Sequence, residues 1–218
     1  MAWSDPGDFT SGQILTAAQM DSVREAMFFG QATFTDEAAR DAAFGGPLAP
    51  IALQEGMRAY LTAPTVPAAT GATTSVPTGI TTVYNGSVWV CTTPVGAFTS
   101  ATGTSTSGTF SPTLGGTPGT NPSVTLVTGT TALVSLSCVQ EAGGAIPNNM
   151  AVAVSGAGVV AAAQDKSLAT VQASAVAHGR TVILSGLTAG TNTFTLQYRR
   201  DLGTTSFSWR EVIVQGIA

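Results

Sequence analysis

From Phe194 to Arg199 the side chains alternate: Phe194, Leu196 and Tyr198 fall on one side, Thr195, Gln197 and Arg199 on the other. A period of two marks a strand with one dry face and one wet face. It constrains this chain more than any other feature because it recurs. VTLVTGTTALVSLSCV reads as two strands around Thr128-Gly129-Thr130, and NNMAVAVSG, RTVILSGL, NTFTLQYRR and SFSWREVIVQG follow, with Gly-rich turns between them. Strands at this spacing predict a mainly β fold whose C-terminal part, 123–218, is an antiparallel, jelly-roll-like β-sandwich. Residues 159–175 show no clean face and read as irregular, with a short strand or helical turn.

Charge divides the rest. Residues 1–58 hold eleven of the twenty charged side chains and 141–218 hold nine; 59–140 hold none. The chain as a whole is 9% charged, against ~25% in ordinary soluble domains. Thr, Ser, Gly and Ala replace the missing charge, a composition that suits a surface covered by neighbouring subunits. The partition predicts an N-terminal attachment region over 1–91 (helices plus a β-hairpin), a Thr/Ser/Gly/Pro-rich connector over 92–122, and the β-head. In the first region, Thr16 and Gln19 have capping-box spacing, and Met20, Val23 and Met27 line one helical face before Gly30. Trp3 and Phe28 join that stripe as candidate interface residues. A second helix is predicted in TDEAARDAAFGG, capped by Thr35 and stopped at Gly45-Gly46-Pro47. Tyr84-Asn85-Gly86-Ser87 marks a tight turn between two short strands anchored by Trp89, with Met57–Leu61 as their partner strand. The connector reads equally as a flexible linker or as an extended segment wrapped by subunits, since Phe98 and Phe110 recur in it.

Chemistry is sparse. Net charge is −4 with no basic patch, so phosphate neutralisation and nucleic-acid binding are not expected. No apolar run reaches eighteen residues, so no membrane-inserting helix is expected. The start, MAWSDPGD, has neither the basic region nor the apolar core of a signal peptide. Cys91 and Cys138 read as two buried thiols, with pairing left open. One histidine, His178, supplies neither a metal-ligand set nor a triad, so no metal, cofactor or catalytic residue is predicted. Glu141, Asp165, Asp201 and Glu211 are too scattered to indicate a carboxylate pair. Gly156-Ala157-Gly158-Val159-Val160-Ala161 fits a dinucleotide-binding fingerprint, but no acidic residue follows ~20 positions on and the strands lack helical crossovers. Tyr198, Arg199, Trp209 and Arg210, read as neighbours across a final hairpin, are the candidate ligand contacts, because aromatic and Arg side chains are favoured at binding surfaces.

The opening WSDPGDFTSGQILTAAQMDSVREA resembles that of structural proteins of tailed bacteriophages. EGMRAYLTA followed by TTVYNGSVWV is similar to a small module of phage tail and fibre proteins, in which a G-M-x-x-Y strand pairs with a V-Y-x-G-x-W-V strand. Here those positions are Gly56, Met57, Tyr60, Val83, Tyr84, Gly86, Trp89 and Val90, with a longer insert, Thr62 to Gly79, between the halves. The closing LSGLTAGTNTFTLQYRRDLGTTSFSWREVIVQG resembles the β-sandwich tips of such proteins. The resemblance implies a non-enzymatic virion structural protein, a homotrimeric head or tail fibre that contacts capsid, collar or tail proteins. A host-surface polysaccharide-binding (receptor-binding) module and a capsid-decorating adaptor are the alternatives.

Overall fold

A computed structural model of the chain describes residues 31–44, 53–142, 144, 146–171 and 173–218. The helix expected over 16–30, the stop at Gly45-Gly46-Pro47, and Trp3, Met20, Val23, Met27 and Phe28 lie outside these residues. The described chain opens with β1 (Ala32–Phe34), α1 (Glu37–Phe44) and β2 (Arg58–Leu61), then β3 (Ala68–Thr70), β4 (Thr73–Ser75), β5 (Ile80–Tyr84) and β6 (Trp89–Cys91). Next come β7 (Val95–Thr99), β8 (Gly103–Ser105), β9 (Gly115–Gly116), β10 (Ser123–Thr128), β11 (Thr131–Ala142) and β12 (Asn148–Gly156). A single 3-10 turn, Gln164–Lys166, precedes β13 (Leu168–Thr170), β14 (Val176–Ser185), β15 (Gly190–Arg200) and β16 (Thr205–Ile217).

The fold is the predicted antiparallel β-sandwich. One sheet has the order β13-β12-β15-β10-β3, and the facing sheet has β14-β11-β16-β7-β4, with β8 and β9 beside β16. The chain alternates between layers: β10, β12 and β15 belong to the first sheet, and β11, β14 and β16 to the second. This corrects the reading of a final hairpin. Neither β10 with β11 nor β15 with β16 forms a hairpin; the turns at Gly129-Thr130 and 201–204 carry the chain from one sheet to the other. Alternation specifies a dry face on each strand, and a facing sheet satisfies it as well as an adjacent strand does. The dry faces meet as Val124, Leu126, Phe194, Leu196 and Tyr198 on one side and Val134, Leu136, Phe207, Val212 and Val214 on the other, all at most 2% exposed. Burying each of the larger ones stabilises the fold by about 1.5–3 kcal/mol before entropy is subtracted.

The span 92–122 is part of this sandwich. β7 pairs with Arg210–Val214 of β16, and β8 pairs with Thr205–Phe207. Its short side chains permit strand pairing inside the body: Val95, Ala97 and Thr99 face inward and are buried. The long insert after β2 also enters the sandwich, since β3 and β4 each edge one sheet.

The N-terminal module is a four-stranded sheet of order β1-β2-β5-β6. β2 and β5 are antiparallel, with Arg58 opposite Val83 and Tyr60 opposite Thr81. Asn85 Oδ1 accepts from the Ser87 and Val88 amides and closes the β5–β6 turn. Trp89 is the expected anchor: its ring lies 5.5 Å from Phe44 of α1, and the Arg40 guanidinium sits 4.8 Å over it. The helix N-cap is Asp36, whose Oδ1 accepts from the Ala39 amide, rather than Thr35. Asp and Thr both serve there, and the helix begins one residue later than the reading required.

Glu37 ties α1 to the insert. Its carboxylate accepts from the Thr65 amide and hydroxyl and from the Val66 amide at 2.9–3.1 Å. Burial raises its pKa, and these hydrogen bonds more than offset that, leaving it below the ordinary 4.5. A depressed folded pKa contributes stability above the unfolded value, which is lost as pH falls through the folded one. The melting-temperature gap between the native chain and Glu37→Gln is therefore expected to hold constant above pH ~5 and to close in acid. A gap that does not depend on pH across that window would contradict the assignment.

Candidate functional site

On β16 the ladder slips. Ser137 pairs with Glu211 and Val139 with Ser208, so that Trp209 and Arg210 together oppose Cys138. Two residues facing one is a β-bulge. The bulge breaks the strand's alternation and leaves Ser208 and Trp209 both facing outward: Trp209 is 59% exposed, and Arg210, 1% exposed, turns into the sandwich. Trp209 reaches this geometry at φ +52°, where a residue with a Cβ is strained. A strained, solvent-facing tryptophan is costly on two counts, and such residues concentrate at functional sites.

The surroundings of Trp209 form a shallow hollow on the outer face of the second sheet, lined also by Phe98, Ser137, Val139, Ala177 and His178. The Phe98 ring lies 5.9 Å from Trp209 at an interplanar angle of 53°. Beside them Ser137 donates to Glu211 Oε2 at 2.9 Å, and in the register Glu211 is opposite Phe98. Burial lowers the pKa of His178, so its imidazole is neutral near pH 7, and its Nε2 has no protein partner. The hollow thus offers an aromatic surface with an acceptor carboxylate beside it, while the His178 Nε2 is buried and does not open onto it.

The four candidate contacts do not share one surface. Trp209 faces solvent. Tyr198 and Arg210 are interior, because both lie on dry faces that meet between the sheets; Arg210 Nη1 donates to the Tyr198 hydroxyl at 2.9 Å. Arg199 is on the wet side of β15 and pairs with Asp201 at 2.7 Å. Arg200 is also interior, donating to the Leu202 and Thr204 carbonyls and to the Thr205 hydroxyl. Phe98 and His178 complete the hollow and were not singled out for it by the sequence. Phe98 was visible as an aromatic within a polar run.

Among the described residues no hydrogen bond joins His178, Asp201 and Glu211 to one another. Gly156 ends β12 opposite Asn192 of β15, so the Gly-x-Gly spacing belongs to an antiparallel strand end and opens no helix. Cys91 and Cys138 are free and buried; burial pushes their thiols up to about 11 and about 12.

No protein-family model and no curated protein matches this chain. Among solved structures it is similar to CBM35 from Cellvibrio japonicus Abf62, with 15% identity, 56% of this chain and 94% of that chain covered, and a TM-score of 0.29. It is also similar to the exo-beta-1,3-galactanase from Phanerochaete chrysosporium, at 13% identity over 54% of this chain and 27% of that one, TM-score 0.24. A third is the CBM22-1 xylan-binding domain from Paenibacillus barcinonensis Xyn10C, at 9% identity over 56% and 87%, TM-score 0.23. Likenesses this loose carry no argument about function.

Proposed function

We propose that this chain is a non-enzymatic binding protein whose β-sandwich recognises a surface polysaccharide through the Trp209 hollow. The observation that carries this reading is Trp209 itself, held exposed on a bulge at positive φ with Phe98 beside it. A structural tryptophan would turn its area inward. An outward one presents a flat apolar face, which suits the C–H face of a pyranose ring, and the flanking Glu211 carboxylate suits its hydroxyls. Among the described residues no Lys or Arg lines the hollow, which favours a neutral glycan. The test is affinity electrophoresis of the full chain through gels containing neutral and acidic polysaccharides. Retardation by a neutral polymer supports the reading; unaltered migration through every polymer removes it.

A second reading places this module on a tailed-phage particle as a homotrimeric fibre or adaptor. It is favoured by the two halves of the phage-like module, which pair as β2 and β5 and dock on the sandwich through Leu61, Ile80 and Cys91. Exposed Ile183 and Ile217 add apolar surface of the kind found between subunits. Light scattering of the eluted full chain is expected to give the mass of three chains. A one-chain mass at high concentration withdraws the trimer.

A further inference from the structure

Two arginines lie inside the sandwich, and neither has a carboxylate within ion-pair distance among the described residues, where the ion pairs are Arg40–Asp41 and Arg199–Asp201. A guanidinium keeps its charge in a protein, and a buried charge without a counter-ion is expensive. Arg200 is enclosed by its own turn. Arg210 is different because it borders a second hollow, about 240 Å³, formed with Pro112, Thr113, Pro118, Gly119 and Asn121. This hollow involves the inward-facing member of the bulge, whereas Trp209 faces outward.

Every partner of Arg210 is neutral. Nη1 donates to the Tyr198 hydroxyl, and Nη2 donates to the Pro118 and Ala101 carbonyls. The Tyr198 ring lies 5.4 Å from the guanidinium carbon, and Nε has no partner. The two nearest acids supply no anion. Burial pushes the Tyr198 phenol far above its ordinary value and the Cys138 thiol up to about 12, so both stay protonated. The Tyr198 hydroxyl is in turn committed to Asn121 Oδ1 at 2.6 Å. The site has a fixed positive charge, a buried Nε–H without a partner and a hollow at its edge, and lacks a negative charge.

We infer that the hollow between 112–121 and Arg210 binds a small organic carboxylate, which supplies the missing counter-ion. Its volume suits a ligand below the size that fills a typical drug pocket of ~300–1,000 Å³, such as a single sugar acid. The Thr113 side chain is exposed at the mouth, and Asn121 stands one hydroxyl away from the guanidinium.

The experiment is calorimetric titration of the full chain with glucuronate, with glucose and sodium chloride at matched ionic strength as controls. Saturable binding of glucuronate, without binding of glucose, is expected. Thr113→Phe fills the mouth without entering the core, and Asn121→Asp brings an internal carboxylate to the guanidinium. Each is expected to weaken glucuronate at least tenfold while the chain remains folded. Arg210→Gln is expected to abolish binding, and should that variant fail to fold, the other two still decide the matter. No saturable glucuronate binding, or native affinity in both Thr113→Phe and Asn121→Asp, overturns the inference. Neither result touches the Trp209 reading, which rests on the opposite face.

Discussion

Replacing Trp209 with glycine is expected to abolish polysaccharide retardation and to leave a chain about 1 kcal/mol more stable than the alanine variant at the same position. Both variants remove the indole and its contact with Phe98, so the difference between them isolates the backbone. At φ +52° alanine keeps a Cβ that crowds the following carbonyl, which costs roughly 1–2 kcal/mol, whereas glycine does not. Because the indole is largely solvent-exposed, little core packing goes with it. For binding, loss of a central aromatic anchor typically costs about 2 kcal/mol or more, a fall of over tenfold in affinity. Urea unfolding of the two variants beside gel retardation reads both quantities. Retained binding in Trp209→Ala would remove the candidate site. Equal stability of the two variants would mean that the bulge relaxes once the indole is gone, and that the strain is a consequence of the side chain.

The part of this site that was legible in the sequence is Trp209 and its strand. The rest depends on a bulge, whose trace is only a change of phase: Phe207 and Val212 both face inward although they are five residues apart, and the pairing with β11 is what shows that Trp209 and Arg210 share one opposing residue. Reading β15 and β16 as a hairpin put Tyr198, Arg199 and Arg210 beside Trp209, whereas the two strands belong to facing sheets and Tyr198 and Arg210 point inward. The class of fold was legible because Phe194, Leu196 and Tyr198 must be covered by something. Which layer covers them was not, since the same dry face fits a hairpin partner or a facing sheet. The span 92–122 was misleading for a compositional reason. Its Thr, Ser and Gly suit a solvated linker, and the same short side chains let β7 lie against β16, where Gly96 is opposite Ile213. The N-terminal module was the most legible piece, because an Asn-Gly turn and a tryptophan anchor act locally.

Gly156→Ala is expected to be among the most damaging single-methyl changes in the sandwich, at about 3 kcal/mol or more. Two effects add. The backbone there sits at φ +111°, a conformation that residues with a Cβ rarely adopt, at a cost of roughly 1–2 kcal/mol. A Cβ would also lie 2.4 Å from the Thr191 carbonyl oxygen, and overpacking of this kind costs about 1–3 kcal/mol. The obstacle is backbone, and it has nowhere to retreat. β15 is held by β12 on one side and β10 on the other. Next to Thr191, the buried Asn192 amide donates to the Thr128 hydroxyl and the Thr188 carbonyl, both at 2.8 Å. Gly186 provides the control: its φ is +76° and nothing lies within 4 Å of its would-be Cβ, so Gly186→Ala reports the conformational cost alone, about 1 kcal/mol. The measurement is the urea midpoint of each variant at unchanged slope, which keeps the comparison one of stability. A Gly156→Ala loss no larger than that of Gly186→Ala would mean that β12 and β15 separate easily at this end. The glycine spacing there would then need a reason other than the close approach of two strands.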